Sequence, residues 1–512
     1  MLSLQVVCTV LLLSSTITLT LGNFAEDADR ADTTTSKYPL PMGVCYEGLG
    51  CFYRNGSFEH LTLPLSPDIL TTRFFLFTAL NQTFATADEL KWNDPASIAA
   101  SAFRPNRPTR VIAHGFTMSG MAQSIQRIKN SILRRERENV NVIIVDYERA
   151  AQEPQYWEAA ANSQVVGAQL ARVIDHLINL KQARAGNFHL IGISLGCQVS
   201  AHAGKKLKEF RNERPGKITA LDPAGPLFEG FPSVARLAKG DADFVEAYHG
   251  NGLPLYGGGL GMWSQVGDID FYPNGGEEQP SCPPALWGTI SSIMNLQLGQ
   301  LATSVICSHA RPAYLAIESI EAALSGCRFT SVPCDSYQEF LDGQCNTQEH
   351  HRQGGLMGIY ATNRPASKKH FLLTLGNAPY CAVQLKATLT LSRRSRDARG
   401  VFIIQAVGAD TSAEALPLVI SKNEHVLPGE GFSEMIATNV PLAGIRQVQV
   451  LYKRACYLGV CAADTVQLGS VELEHTTAFS TDVLRVCGNG VHLVSEQWTN
   501  VDVSASQAAC AD

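Results

Sequence analysis

From Thr109 to His249 the chain alternates short, continuously apolar runs with stretches in which apolar residues recur every three or four positions. The runs TRVIAHGF, NVIIVDY, NFHLIGIS, KITALDP and ADFVEAYH are each bounded by polar or turn residues, as expected of strands buried on both faces. Between the second and third, SQVVGAQLARVIDHLINL sets Val166, Leu170, Val173, Ile174 and Leu177 at helical spacing. That spacing predicts a crossover helix between parallel strands. The alternation, running from Val44 to about residue 366, predicts an α/β sheet.

Beyond residue 367 the pattern changes to short alternating runs, VQLKATLTL, GVFIIQAVG, IRQVQVLYK and TVQLGSVELE, separated by turn-rich breaks. Period-two alternation without helical stretches predicts an antiparallel β-sandwich over 367–512. NRPASKKH is the expected linker. At the other end, residues 1–22 form an apolar run ending in small residues, read as a secretory signal, and polar residues 23–43 as a flexible leader. No later stretch offers the uninterrupted apolar length of a membrane span.

Composition narrows the class. At 512 residues two domains are the default. A formal charge of -6 lacks the basic excess of a nucleic-acid binder. Fourteen cysteines suit an oxidising compartment, and setting aside Cys8 in the signal leaves an odd thirteen. At least one thiol is then free, and Cys197 is the candidate. Asn55-Gly-Ser and Asn81-Gln-Thr are sequons for N-glycosylation there.

Among forty-two glycines a Gly-x-Ser-x-Gly match is weak by itself. GISLG gains weight from its setting, because Ser194 follows the strand NFHLIGIS and precedes the helical LGCQVSAHAGKKLK, the context of a nucleophile elbow. In that arrangement the acid follows the serine and the histidine follows the acid. Asp222 closes the strand KITALDP and is favoured over Asp146, which precedes the serine. His249 and His309 both follow Asp222, and residue type and order leave them open. Oxyanion stabilisation needs two backbone N–H groups. Leu195, after the serine, and Phe116, in the loop after TRVIA, are the candidates.

Between Cys282 and Cys307 lies PPALWGTISSIMNLQLGQLATSVI, which carries no charge. Ile290, Ile293, Met294, Leu298 and Leu301 would share one face of a short helix, with Trp287 in the same loop. A lid that covers a pocket in water and opens at a lipid surface is preferred to a buried hairpin.

Taken together, VCYEGLGCF, HGF, GISLG, ITALDPAGP, DADFVEAYH, DFYPNGG and CSHARPAY resemble the pancreatic lipase family. The resemblance implies an α/β-hydrolase domain over 44–366 and a PLAT-like sandwich over 367–512. It implies Ser194, Asp222 and His309 as a catalytic triad, with Phe116 and Leu195 as oxyanion donors and His249 non-catalytic. Disulfides Cys45–Cys51, Cys282–Cys307 and Cys334–Cys345 follow from the same likeness. Cys456–Cys461 and Cys487–Cys510 are weaker pairings, and Cys327 and Cys381 are unassigned. Ile193 departs from the histidine of many relatives.

A structural calcium is also implied, at Ser233, Arg236, Ala238 and Asp241, of which only Asp241 brings a carboxylate. No organic cofactor is expected. The implied activity is secreted hydrolysis of glycerolipid esters at lipid–water interfaces. The full-length lid favours long-chain triacylglycerol over phospholipid. Lipid droplets, emulsions or lipoprotein particles are the expected surfaces, and a colipase-like protein or glycosaminoglycan, the latter facing SRRSRDAR (392–399), are candidate partners. Monomer and head-to-tail homodimer are both open. A non-enzymatic lipid-binding protein is the competing class, since fold does not imply function.

Overall fold

The apolar runs of the first half become the middle of one large sheet. In the computed structural model, which describes residues 42–152, 155–283, 303–321, 326–361, 369–408, 418–457, 459–475, 482–503 and Cys510, seven parallel strands form this middle. They are β1 (Thr109–Ala113), β2 (Asn141–Asp146), β3 (Phe188–Ile193), β4 (Lys217–Leu221), β5 (Val245–Tyr248), β6 (Ile269–Pro273) and β7 (Lys369–Leu372). Their order is β2-β1-β3-β4-β5-β6-β7 within an 11-stranded sheet. Antiparallel strands Arg73–Phe77 and Phe329–Pro333 flank β2 and β7.

Both faces are covered, which is why the strands read as unbroken apolar runs. Helices α2 (Tyr156–Lys181) and α3 (Leu195–Arg211) pack on one face. Helices α1 (Gln123–Glu136) and α4 (Thr303–Glu321) pack on the other. The crossover helix falls where its periodicity puts it: Val166, Leu170, Val173, Ile174 and Leu177 are all fully buried. Burying each such side chain contributes about 1.5–3 kcal/mol. At Gly167 an added Cβ would lie 2.6 Å from the His202 Cβ, so glycine sets the close approach of α2 to α3.

The second half forms an all-β sandwich. Strands Gly431–Thr438, Val383–Leu391, Thr465–His475 and Val483–Cys487 make one antiparallel sheet. Leu418–Val426, Ala398–Gly408, Ile445–Arg454 and Trp498–Asp502 make the other. Inward residues such as Leu385, Leu389, Phe402, Val450 and Leu473 form a core of their own. A further apolar cluster, with Phe340, Phe371, Met435 and Ala437, joins the sandwich to the sheet.

The chain enters the sandwich later than residue 367. Lys369–Leu372 is strand β7, paired with β6, because KHFL supplies three consecutive buried side chains to the sheet. Residues 363–368 of the expected linker lie outside the described residues, as do the expected signal and all of the leader except Met42 and Gly43. Met1–Gly43 and Val44–Asp512 are separate units. No helix among the described residues is long and apolar enough to cross a membrane.

Candidate active site

Register aligns the strand ends. Ala113 pairs with Gly192, Ile193 with Leu221, and Leu221 with Tyr248, so β1, β3, β4 and β5 end on one edge. The residues just past those ends are His114–Phe116, Ser194, Asp222 and His249. In open α/β sheets this carboxyl edge is where ligands bind.

Ser194 sits between β3 and α3 with φ 54° and ψ -118°, a conformation that costs a non-glycine residue about 1–3 kcal/mol. Backbone bonds hold it there: its N–H donates to Leu221 O at 3.0 Å, and its carbonyl accepts from Cys197 N at 3.0 Å and Ala224 N at 3.2 Å. The flanking glycines are steric requirements. A Cβ on Gly192 would lie 2.5 Å from Cys197 N, and one on Gly196 would lie 2.2 Å from Ala113 O. Both clashes are with backbone, which cannot give way locally. Gly196→Ala is therefore expected to cost about 3 kcal/mol or more, read as a lowered urea midpoint in equilibrium unfolding.

Asp222, fully buried, is the centre of a hydrogen-bonded cluster. Its Oδ1 accepts from Gly250 N at 2.7 Å and Asn251 N at 3.3 Å. Its Oδ2 lies 2.6 Å from His309 Nδ1. His309 comes from α4, which can approach because Gly250 has no side chain: a Cβ there would lie 2.7 Å from Ser308 O and 2.6 Å from the Pro312 ring. Pro312, inside α4, lacks the N–H that would otherwise claim the Ser308 carbonyl.

The second histidine is engaged elsewhere. His249 Nε2 meets Asp270 Oδ1 at 2.9 Å and Nδ1 meets Met262 O at 2.7 Å. Asp270 also accepts from Val266 N and Gly267 N. Both ring nitrogens thus face acceptors, an arrangement that favours the protonated imidazole. Burial opposes that charge, but the Asp270 carboxylate outweighs it and holds the imidazole above its ordinary range. His249 is thus a buried histidine paired with Asp270 and Met262.

The loop after β1 abuts the serine. A Cβ on Gly115 would lie 3.1 Å from the Ser194 Cβ. The loop is anchored by His114, whose Nε2 accepts from Tyr147 N at 3.1 Å, leaving Nδ1–H to donate to Gly115 O at 3.0 Å. Thr117 N donates to Ala151 O at 2.8 Å, and Asp146 holds Gly120 N at 2.8 Å. Asp146 is thereby a loop anchor. The Phe116 ring packs edge-on against Tyr156. Leu195 opens α3, so its N–H is among the four at a helix start that lack an intrahelical acceptor.

The sequence model of the family described as Lipase matches residues 43–380. The chain is 33% identical over 449 residues to inactive pancreatic lipase-related protein 1 of Mus musculus, covering 84% of this chain and 91% of that one. The chain belongs to the pancreatic lipase family. Pancreatic lipase-related protein 3 of Homo sapiens is 32% identical over 80% of this chain and 86% of its own length. Pancreatic triacylglycerol lipase of Homo sapiens is 34% identical over 68% and 74%. The protein is accordingly a secreted hydrolase acting on lipid esters.

Among the described residues six disulfides are formed: Cys45–Cys51, Cys282–Cys307, Cys327–Cys381, Cys334–Cys345, Cys456–Cys461 and Cys487–Cys510. The pair left unassigned in the sequence, Cys327 and Cys381, bridges 54 positions. Cys197 is free and buried, and burial pushes its thiol well up. Of the residues expected to form a lid, Cys282 and Cys307 are disulfide-bonded to each other, while Trp287, Ile290, Ile293, Met294, Leu298 and Leu301 lie outside the described residues. Asn55 is exposed and Asn81 half-buried. Ile193 is packed in the core.

The four positions expected to hold calcium do not fit the ion. Ser233 is exposed, Ala238 offers no side-chain oxygen, and Asp241 Oδ2 and Arg236 O are both bonded to the ammonium of Lys205. Lys205 was not singled out in the sequence. Its place on α3, eleven residues after Ser194, carries no signal of a partner in a loop thirty-six positions away.

Proposed function

We propose that this lipase is a serine hydrolase of long-chain triacylglycerol at lipid–water interfaces, working on droplets, emulsions or lipoprotein particles. The observation that carries the reading is the bond from His309 Nδ1 to Asp222 Oδ2, at 2.6 Å, on the sheet edge that also presents Ser194. With its proton on Nδ1, His309 keeps Nε2 as the base. Ser194 Oγ attacks the ester carbonyl carbon as Nε2 takes the hydroxyl proton. The Phe116 and Leu195 N–H groups receive the oxyanion. The alcohol departs with the proton from His309, and water, activated by the same nitrogen, releases the fatty acid and frees Ser194. No organic cofactor enters these steps.

Triacylglycerol is preferred to phospholipid because the stretch between Cys282 and Cys307, residues 283–306, carries no charge and so suits contact with an apolar substrate. N-linked glycans at Asn55 and Asn81 belong to the same secreted reading. The test is fatty-acid release from emulsified long-chain triacylglycerol and from phosphatidylcholine vesicles. Faster release from triacylglycerol is expected, and faster release from phosphatidylcholine would make the protein a phospholipase.

The names of two relatives carry the word inactive, which keeps a lipid-binding role as the second reading. Release from neither substrate, with or without bile salt and colipase, would bring that reading forward.

A further inference from the structure

We propose that the ammonium of Lys205 takes the place of a structural calcium ion, holding the loop Phe231–Asp241 to the nucleophile's helix without a metal. The loop runs along α3, the helix that begins at Leu195 directly after Ser194. Two residues of α3 bind it. Gln198 Oε1 accepts from Leu237 N at 2.8 Å, while its Nε2 donates to Ala224 O at 3.1 Å. About two turns further on, Lys205 Nζ donates to Arg236 O at 2.8 Å and to Asp241 Oδ2 at 2.5 Å.

The close approach is built in at Gly204, where a Cβ would lie 2.0 Å from Asp241 O. Backbone contact at that point delivers the next side chain, Lys205, onto the loop's carboxylate. Ala238 N also donates to Asp241 Oδ2, at 2.9 Å, so that oxygen is surrounded by donors.

Calcium requires six to eight oxygen ligands at about 2.3–2.6 Å. Four of the loop's oxygens are already committed to nitrogen cations. Besides the Arg236 carbonyl and Asp241 carboxylate on Lys205, the Arg236 guanidinium takes Phe231 O at 2.7 Å and Leu237 O at 2.9 Å. One carboxylate balances one ammonium. A divalent ion at Asp241 would have to displace Lys205 and would leave a net positive charge beside a nearly buried group. Among Ser233, Arg236, Ala238 and Asp241 no second carboxylate is available to offset it.

The full-length secreted protein tests this without reference to its activity. Its thermal midpoint is expected to stay within about 1 °C in chelator and in millimolar calcium, and calorimetric titration with calcium chloride to give no saturable site. Lys205→Met and Asp241→Asn should each lower the midpoint, Lys205→Met by roughly 5 °C. The double variant should fall no further than the worse single one, since both changes remove one interaction. Saturable one-to-one calcium binding to the unaltered protein, a midpoint that drops in chelator, or a midpoint unmoved by Lys205→Met would overturn the proposal. The calcium titration decides even if a variant fails to fold.

Discussion

Ser194→Ala is expected to remove ester hydrolysis, with kcat falling by a factor on the order of 10⁶, while the protein remains folded. The size of the loss follows from the proposed role: without Oγ there is no acyl-enzyme, and only the oxyanion donors and substrate binding are left to act on a water molecule. Folding is spared because the bonds that hold residue 194 at φ 54° are backbone bonds, to Leu221, Cys197 and Ala224. Alanine keeps all three. Fatty-acid release measured beside a thermal melt checks both halves. Retained hydrolysis in a folded Ser194→Ala protein would remove the serine mechanism.

Asp222→Asn is expected to lower kcat/KM by about 10⁴ through the tautomer of His309. Oδ1 of Asp222 faces two backbone donors, Gly250 N and Asn251 N, and Oδ2 faces His309 Nδ1. An asparagine satisfies the backbone donors with its carbonyl oxygen, which turns its NH₂ toward His309. Nδ1 must then accept, and the ring proton moves to Nε2, the nitrogen that should take the serine proton. Unlike the serine variant, this one retains the nucleophile, so slow turnover should remain measurable. Equal turnover by Asp222→Asn and the unaltered protein, under matched conditions, would mean that Asp222 does not set that tautomer.

Much of the fold is legible in the chain because the relevant patterns are local. Val166 through Leu177 mark a helix by spacing alone, and each is fully buried. The strand runs end within a few residues of where the apolar residues end, as at Phe188–Ile193 and Lys217–Leu221. At Lys369–Leu372 the same kind of reasoning misplaced the boundary. Four residues are too short to register a period, and the strand exists because β6 offers an edge to pair with.

The candidate site divides in the same way. Strand, turn and helix around GISLG can be read from neighbouring residues, and so can the need for small residues at Gly192 and Gly196. Residue types left His249 and His309 open, and only the resemblance separated them. In the structure the separation is physical: His249 is closed off by Met262 and Asp270, and His309 reaches Asp222 across 87 positions. The pairing of Cys327 with Cys381 and the hold of Lys205 on Asp241 are of this kind as well.

By itself the sequence determined the order of strands and helices, the two-part architecture, the elbow at Ser194 and the family, because each is written in residues near one another or in an ordered set of motifs. The tertiary structure alone decided what fills the space beside Asp241 and how α4 comes within hydrogen-bonding distance of Asp222. Both depend on backbones that touch where glycine leaves room, at Gly204 and Gly250, and the distances involved are set by packing rather than by any neighbour in the chain.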